Sequence, residues 1–185
     1  MPGAVFSIHL TMEKENALQN YIKMRDEVDA HCARLYALHS SHLNCGEGCD
    51  KCCMDFGIFP VEYYSIIEQA SKDLTKGQQQ TSEMDCPFLV DHRCVIYAAR
   101  PIICRTQGLP LLFMGEEGWE LSACELNFNQ FDFGEFHQEN TFPQDRYNSR
   151  LYLINKEFIE TLAGKPYQPT DLIPLRQLFQ KYLKH

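Results

Sequence analysis

The sequence predicts a mainly α-helical fold with small irregular β hairpins. Three observations predict it. Apolar residues recur at helical spacing on both flanks of the chain, the centre breaks into short apolar runs separated by turn residues, and cysteines crowd that centre. With 185 residues, 44% of them hydrophobic, the chain is long enough for one domain with its own core. The predicted organisation is a single domain, 1–185, in which a cysteine core at 45–124 is flanked by helical segments at 11–40 and 144–185.

In the first segment Leu18, Tyr21, Ile22, Val28, Leu35 and Tyr36 make one helix face, with Glu13 and Glu15 placed favourably in its first turn. Cys32 lies on that face and reads as a small buried apolar side chain. Phe59-Pro60 opens a second helix carrying Tyr63, Ile66, Ile67, Ala70 and Leu74. Lys72 to Asp85, polar and unpatterned, reads as a connection. Phe88-Leu89-Val90 and Val95-Ile96-Tyr97 then predict two short strands joined across Asp91-His92-Arg93. Leu109 to Met114 and Trp119 to Ala123 predict a second hairpin, turned at Gly115 to Gly118. Tyr147, Leu151, Ile154, Phe158 and Leu162 mark a long helix stopped by Gly164 and Pro166. A final helix has Pro174 in its first turn and Leu175, Leu178, Phe179, Tyr182 and Leu183 along its stripe.

The net charge of −8 argues against a nucleic-acid surface, which needs clustered Lys and Arg. Between Cys45 and Cys124 twelve Asp and Glu face six Lys and Arg, a balance of −6 before any thiolate is added. No apolar stretch approaches the roughly 20 residues that span a bilayer, and Met1 to Leu10 lacks the pattern of a secretion signal. No membrane association and a cytoplasmic location are therefore expected.

That location bears on the cysteines. Cys45, Cys49, Cys52 and Cys53 are spaced C-x3-C-x2-C-C, and Cys86, Cys94, Cys104 and Cys124 follow. A reducing compartment disfavours disulfides, and the nine cysteines of the chain cannot all pair within it. Metal ligation is the leading reading, with redox-active thiols or disulfides the alternative. Thiolate is a soft ligand that selects zinc, copper(I) or iron–sulfur clusters. Eight thiols make two complete sets of four, and the neighbours Cys52 and Cys53 can serve different metal positions. Arg93, Arg100 and Arg105 lie beside the ligands and are candidates to donate hydrogen bonds to a cofactor, Arg100 and Arg105 foremost; the alternative is pairing with local carboxylates. His92 fits a surface turn better than a ligand position, and His31, His39 and His42 lack the spacing of a helical metal site. The chain has no G-x-S-x-G, P-loop or dinucleotide fingerprint.

The run C45-x3-C49-x2-C52-C53, then C86-P-F-L, then C94-x-I-Y-x-x-R-P-x-x-C104-R resembles the YkgJ-type cysteine-cluster family of zinc- or iron-chelating domains, whose members are mostly small bacterial proteins. The resemblance covers Cys45 to Cys124. It implies ligation by Cys45, Cys49, Cys52, Cys53, Cys86, Cys94, Cys104 and Cys124, and a similar domain in flagellin lysine methylases implies an iron–sulfur cluster.

An all-cysteine donor set and the Cys86-Pro87 pair favour a 4Fe–4S cluster; the two-residue gap from Cys49 to Cys52 and the division into two fours favour zinc. Iron–sulfur binding with a redox or modification-assisting role, alongside an unidentified protein or redox partner, is placed first. Structural zinc in a partner-binding module is the alternative. A catalytic site with one open position would leave one cysteine, Cys124 first, as a redox thiol. C-x3-C-x2-C is also the spacing of radical S-adenosylmethionine enzymes. Lys51 before the third cysteine, Cys53 after it and the few strands argue against that class.

Overall fold

The computed structural model describes residues 3–77, 82 and 85–183, with side chains described only from Met12 to Lys181. The glutamine run at 78–80 and the side chains of Tyr182 and Leu183 lie outside the described residues. Five α-helices are described: α1 (Gly3–Leu38), α2 (Pro60–Ala70), α3 (Ile102–Arg105), α4 (Gln144–Glu160) and α5 (Leu175–Leu183). The strands are β1 (Gly57–Ile58), β2 (Leu89–Val90), β3 (Arg93–Cys94), β4 (Leu111–Met114), β5 (Trp119–Ser122), β6 (Phe142–Pro143) and β7 (Ile173–Pro174). The fold is mainly α with small sheets, as expected.

The helix α1 begins before its predicted start because no Gly or Pro interrupts residues 4–44, so Glu13 and Glu15 lie beyond its first turn rather than in it. Its face of Leu18, Tyr21, Met24, Val28, Cys32 and Leu35 packs against Tyr147, Leu151 and Phe158 of α4. A second apolar cluster joins Tyr63 and Ile66 of α2 to Phe88, Ile96 and, from α5, Leu178 and Phe179. The first turn of α2 starts on Pro60, where the missing N–H costs nothing. Of the N–H groups left there, that of Val61 donates to Asn155 Oδ1 of α4 at 3.2 Å.

Three small sheets brace the irregular parts. The strand β4 pairs antiparallel with β5, as predicted, and parallel with β6, which the sequence does not announce. The pairing of β1 with β7 ties the start of α2 to that of α5. The β2–β3 hairpin is tighter than predicted. Asp91 and His92 both take positive φ, 48° and 61°, so the turn has two residues and the second strand falls at Arg93–Cys94. Val95 to Tyr97 is not a strand, and Tyr97–Ala99 forms a 3-10 turn instead. Pro174 closes β7 and precedes α5 rather than sitting in its first turn.

One buried polar group joins three elements. Glu62, on α2, is 3% exposed and accepts the N–H groups of Phe59 at 3.1 Å and Ile102 at 2.9 Å. It also bonds the side chain of Tyr21 on α1. Burial pushes its carboxyl up to about 7 from 4.5, against the pull of those donors and of Arg105. The folded chain thus holds this proton more tightly than the unfolded chain does. Its contribution to stability is present below about pH 4.5 and is lost as pH rises through about 7. Urea titrations across this range should show wild-type stability falling by on the order of 3 kcal/mol relative to Glu62→Gln; parallel profiles would exclude this role.

Candidate metal centre

The cysteine segment leaves α1 at Leu38 and is irregular until Gly57, so it owes its course to anchors rather than to a ladder. On one side Asn44 N–H donates to Asn127 Oδ1 at 2.8 Å and Phe128 N–H to His42 O at 2.9 Å. Within it, Cys49 N–H reaches Gly46 O at 3.1 Å and Cys53 N–H reaches Asp50 O at 2.8 Å. On the far side Met54 bridges Asp85, and Asp55 takes the N–H and guanidinium of Arg176 at the start of α5.

Six of the eight clustered thiols line two places. Cys52 and Cys124 line a cavity of about 210 Å³ whose wall includes Gly108. Cys45 packs against the same glycine: a Cβ added to Gly108 would stand 2.7 Å from Cys45 Sγ, and φ of +88° there already suits glycine alone. Asn127, itself buried, donates from Nδ2 to Cys45 Sγ at 3.2 Å and to Gly108 O at 2.7 Å. Neither Asn127 nor Gly108 was singled out by sequence reasoning; the only signal was their closeness in the chain to Cys124 and Cys104. Elsewhere Cys86 is buried in the second apolar cluster, and Cys53, Cys94 and Ile103, the neighbour of Cys104, pack on it. Cys32 stands apart in the first cluster, as expected of a core residue.

Burial shapes the thiols. It pushes Cys86 up to about 12 and is the main cause of the rise at Cys104, to which the Cys86 and Cys94 thiols add. Cys94 is pushed up for the same reason. Cys45 is raised by burial, against the Asn127 hydrogen bond, and further by Cys124, Cys49 and Cys52. Cys52 and Cys53 share a hydrogen bond that raises the first and lowers the second.

The candidate arginines differ. Arg105 is 4% exposed and its donors are engaged: Nη1 with Asp29 on α1 at 2.7 Å, Nε with Arg100 O at 2.8 Å, Nη2 with Ala98 O at 2.7 Å. Arg100 stacks on Tyr97 at 3.8 Å, and its buried Nε has no hydrogen-bond partner. Its charge lowers the Cys52, Cys94 and Cys104 thiols. Arg93 pairs with Glu47 at 2.8 Å. His92 is exposed and pairs with Asp50 at 2.6 Å, while His39 bonds Asn140 O at 2.7 Å inside a phenylalanine cluster.

Among the described residues no three Cys, His, Asp or Glu side chains already converge tightly enough to grip an ion. The donor set nevertheless fits a soft metal. The close neighbours are thiols, glycine leaves room for one of them, and Arg100 Nε is an unsatisfied donor where thiolate or sulfide would be its acceptor. Ligation would draw the thiolates together as it displaces their protons.

Removing the Asn127 amide would orphan Asn44 N–H and Gly108 O. Asn127→Ala should therefore cost about 2 kcal/mol in urea unfolding. Gly108→Ala, strained and driven onto Cys45, should be at least as severe, whereas Gly46→Ala, with open space about it, should be near neutral. Equal losses at both glycines would contradict the packing described.

Residues 44–126 match the model of the CxxCxxCC family, described as "Putative zinc- or iron-chelating domain". No curated protein and no solved structure matches the chain. All eight clustered cysteines fall inside the matched span, as do Arg100 and Arg105. Over residues 44–126, then, the chain is similar to the cysteine-cluster domains of the CxxCxxCC family, and a metal-binding, cysteine-rich protein fits that similarity.

Proposed function

We propose that the cysteine cluster holds iron as a 4Fe–4S cluster and that the protein passes electrons to a partner protein or assists a modification reaction. The observations that carry this reading are the all-thiol neighbourhood and an arginine whose Nε has no partner, Arg100, close enough that its charge lowers the Cys94 and Cys104 thiols. The histidines that could convert the site to mixed ligation are engaged elsewhere, His92 with Asp50 and His39 with Asn140. When bound, such a cluster supplies one-electron chemistry. The chain's own part is to supply thiolates, to exclude water from Cys86 by burial, and to offset negative charge with Arg100. A reducing, cytoplasmic setting would keep the thiols available.

Structural zinc is the second reading, favoured by a thiol count that closes two tetrahedral sites without an open position. Anaerobic purification followed by iron, zinc and acid-labile sulfide analysis separates the two. Brown protein with matching iron and sulfide is expected. A colourless protein that takes up no cluster from iron and sulfide, yet carries about two zinc per chain, would replace the first reading by the second.

Arg100→Met tests the charge-offsetting role under either metal. Metal retention against a chelator should weaken by roughly tenfold. The metal-free protein should lose little stability in urea, because the variant removes a buried donor that has no partner and gives up only the stacking on the exposed Tyr97. Unchanged retention would take Arg100 out of the site.

A further inference from the structure

We propose that the eight thiols form two adjoining four-cysteine sites, Cys45, Cys49, Cys52 and Cys124 in one and Cys53, Cys86, Cys94 and Cys104 in the other, divided between the neighbours Cys52 and Cys53. The division rests on the metal-binding reading above but not on the identity of the metal.

Packing carries the assignment. Cys52 and Cys124 share one cavity wall with Gly108, and Gly108 and Asn127 together seat Cys45. The turn from Gly46 O to Cys49 N–H keeps Cys49 with them. Across the peptide that follows Cys52, the surroundings change. The antiparallel bridge between Met54 and Asp85 sets Cys53 across from Cys86, one residue before Met54 and one after Asp85. Leu89 N–H bonds Cys86 O at 3.2 Å, and Leu89 in turn pairs with Cys94 in the β2–β3 hairpin. Cys53, Cys86 and Cys94 all touch the apolar cluster that also receives Ile103, so the short helix α3 delivers Cys104 to the same place.

A hydrogen bond joins Cys52 to Cys53, so the two sites adjoin there. They also differ in exposure. Cys45 and Cys49 are exposed and Cys52 and Cys124 partly buried, whereas Cys86 is buried and Cys53, Cys94 and Cys104 are partly so. The first site should therefore release its metal first.

The test uses the wild-type protein with its metal as purified without oxygen. Metal is withdrawn in steps with EDTA, and thiols freed at each step are alkylated with N-ethylmaleimide and located by peptide mass. Cys45, Cys49, Cys52 and Cys124 should become labelled together as the first half of the metal leaves, and the other four with the second half. In variants, Cys45→Ser should lose half the metal, Cys45→Ser with Cys124→Ser no more than that, and Cys45→Ser with Cys86→Ser all of it. Labelling of all eight in one step, or sets that place Cys52 with Cys53, would overturn the division while leaving metal binding intact. A wild-type protein that carries no metal and takes up neither zinc nor iron with sulfide would overturn the metal reading and the division with it. The labelling series decides the matter even where a variant fails to fold.

Discussion

The position of Cys104, and with it the order of the whole cysteine region, depends on a buried polar clamp around the one-turn helix α3. Glu62 of α2 holds the leading N–H of that helix, at Ile102, and Arg105 at its other end bonds Asp29 of α1 and two carbonyls of the turn before it. A helix of four residues has no stability of its own, since nucleation alone is unfavourable. It persists because both ends are tied to long helices that are themselves packed in the core. Truncating either clamp residue would leave buried partners without bonds, a larger loss than the bonds are worth in isolation.

The same logic extends outward. No extended ladder runs through the segment from Asn44 to Phe56, and its path is fixed at its two ends by side chains. Asn127 fixes the first end, accepting from Asn44 and donating to Cys45 and Gly108. Asp55 fixes the other, capping α5 through Arg176. Most of the polar groups that hold the cysteines in place are thus not cysteines, and they come from three separate stretches of chain. Metal ligation adds to a frame that already exists and does not have to create one.

The helices were legible because their apolar spacing repeats over many residues, as with Leu18, Tyr21, Val28 and Leu35 in α1. The β4–β5 hairpin was legible because glycines flank its turn. What escaped sequence reading was set by contacts distant in the chain. Pro143 pairs in parallel with Leu112, and Gly57 opposite Pro174, with no local sign of either. The β2–β3 register was misplaced because two non-glycine residues, Asp91 and His92, accept positive φ. In the site, the ligand types and their order were plain from spacing. The roles of Asn127, Glu62 and Asp29 were not, because a polar residue's value lies in which buried group it satisfies, and that partner stands 40 or more residues away.

Charge explains why so many thiols can share one small region. The segment from Cys45 to Cys124 already carries a balance of −6, and eight thiolates would take it to −14. Burial foremost, with Cys94 and Asp55 adding, pushes Cys86 up to about 12, and Cys104 is raised by burial and then by its thiol neighbours. Arg105 cannot offset this charge, being engaged with Asp29, and Arg100 is a single cation. Two states are therefore electrostatically sound: neutral thiols packed as small apolar groups, or thiolates neutralised by bound cations. Metal uptake would pass from one to the other by releasing protons. Ionised but metal-free thiolates, half-buried in an acidic segment, are the state this chain disfavours.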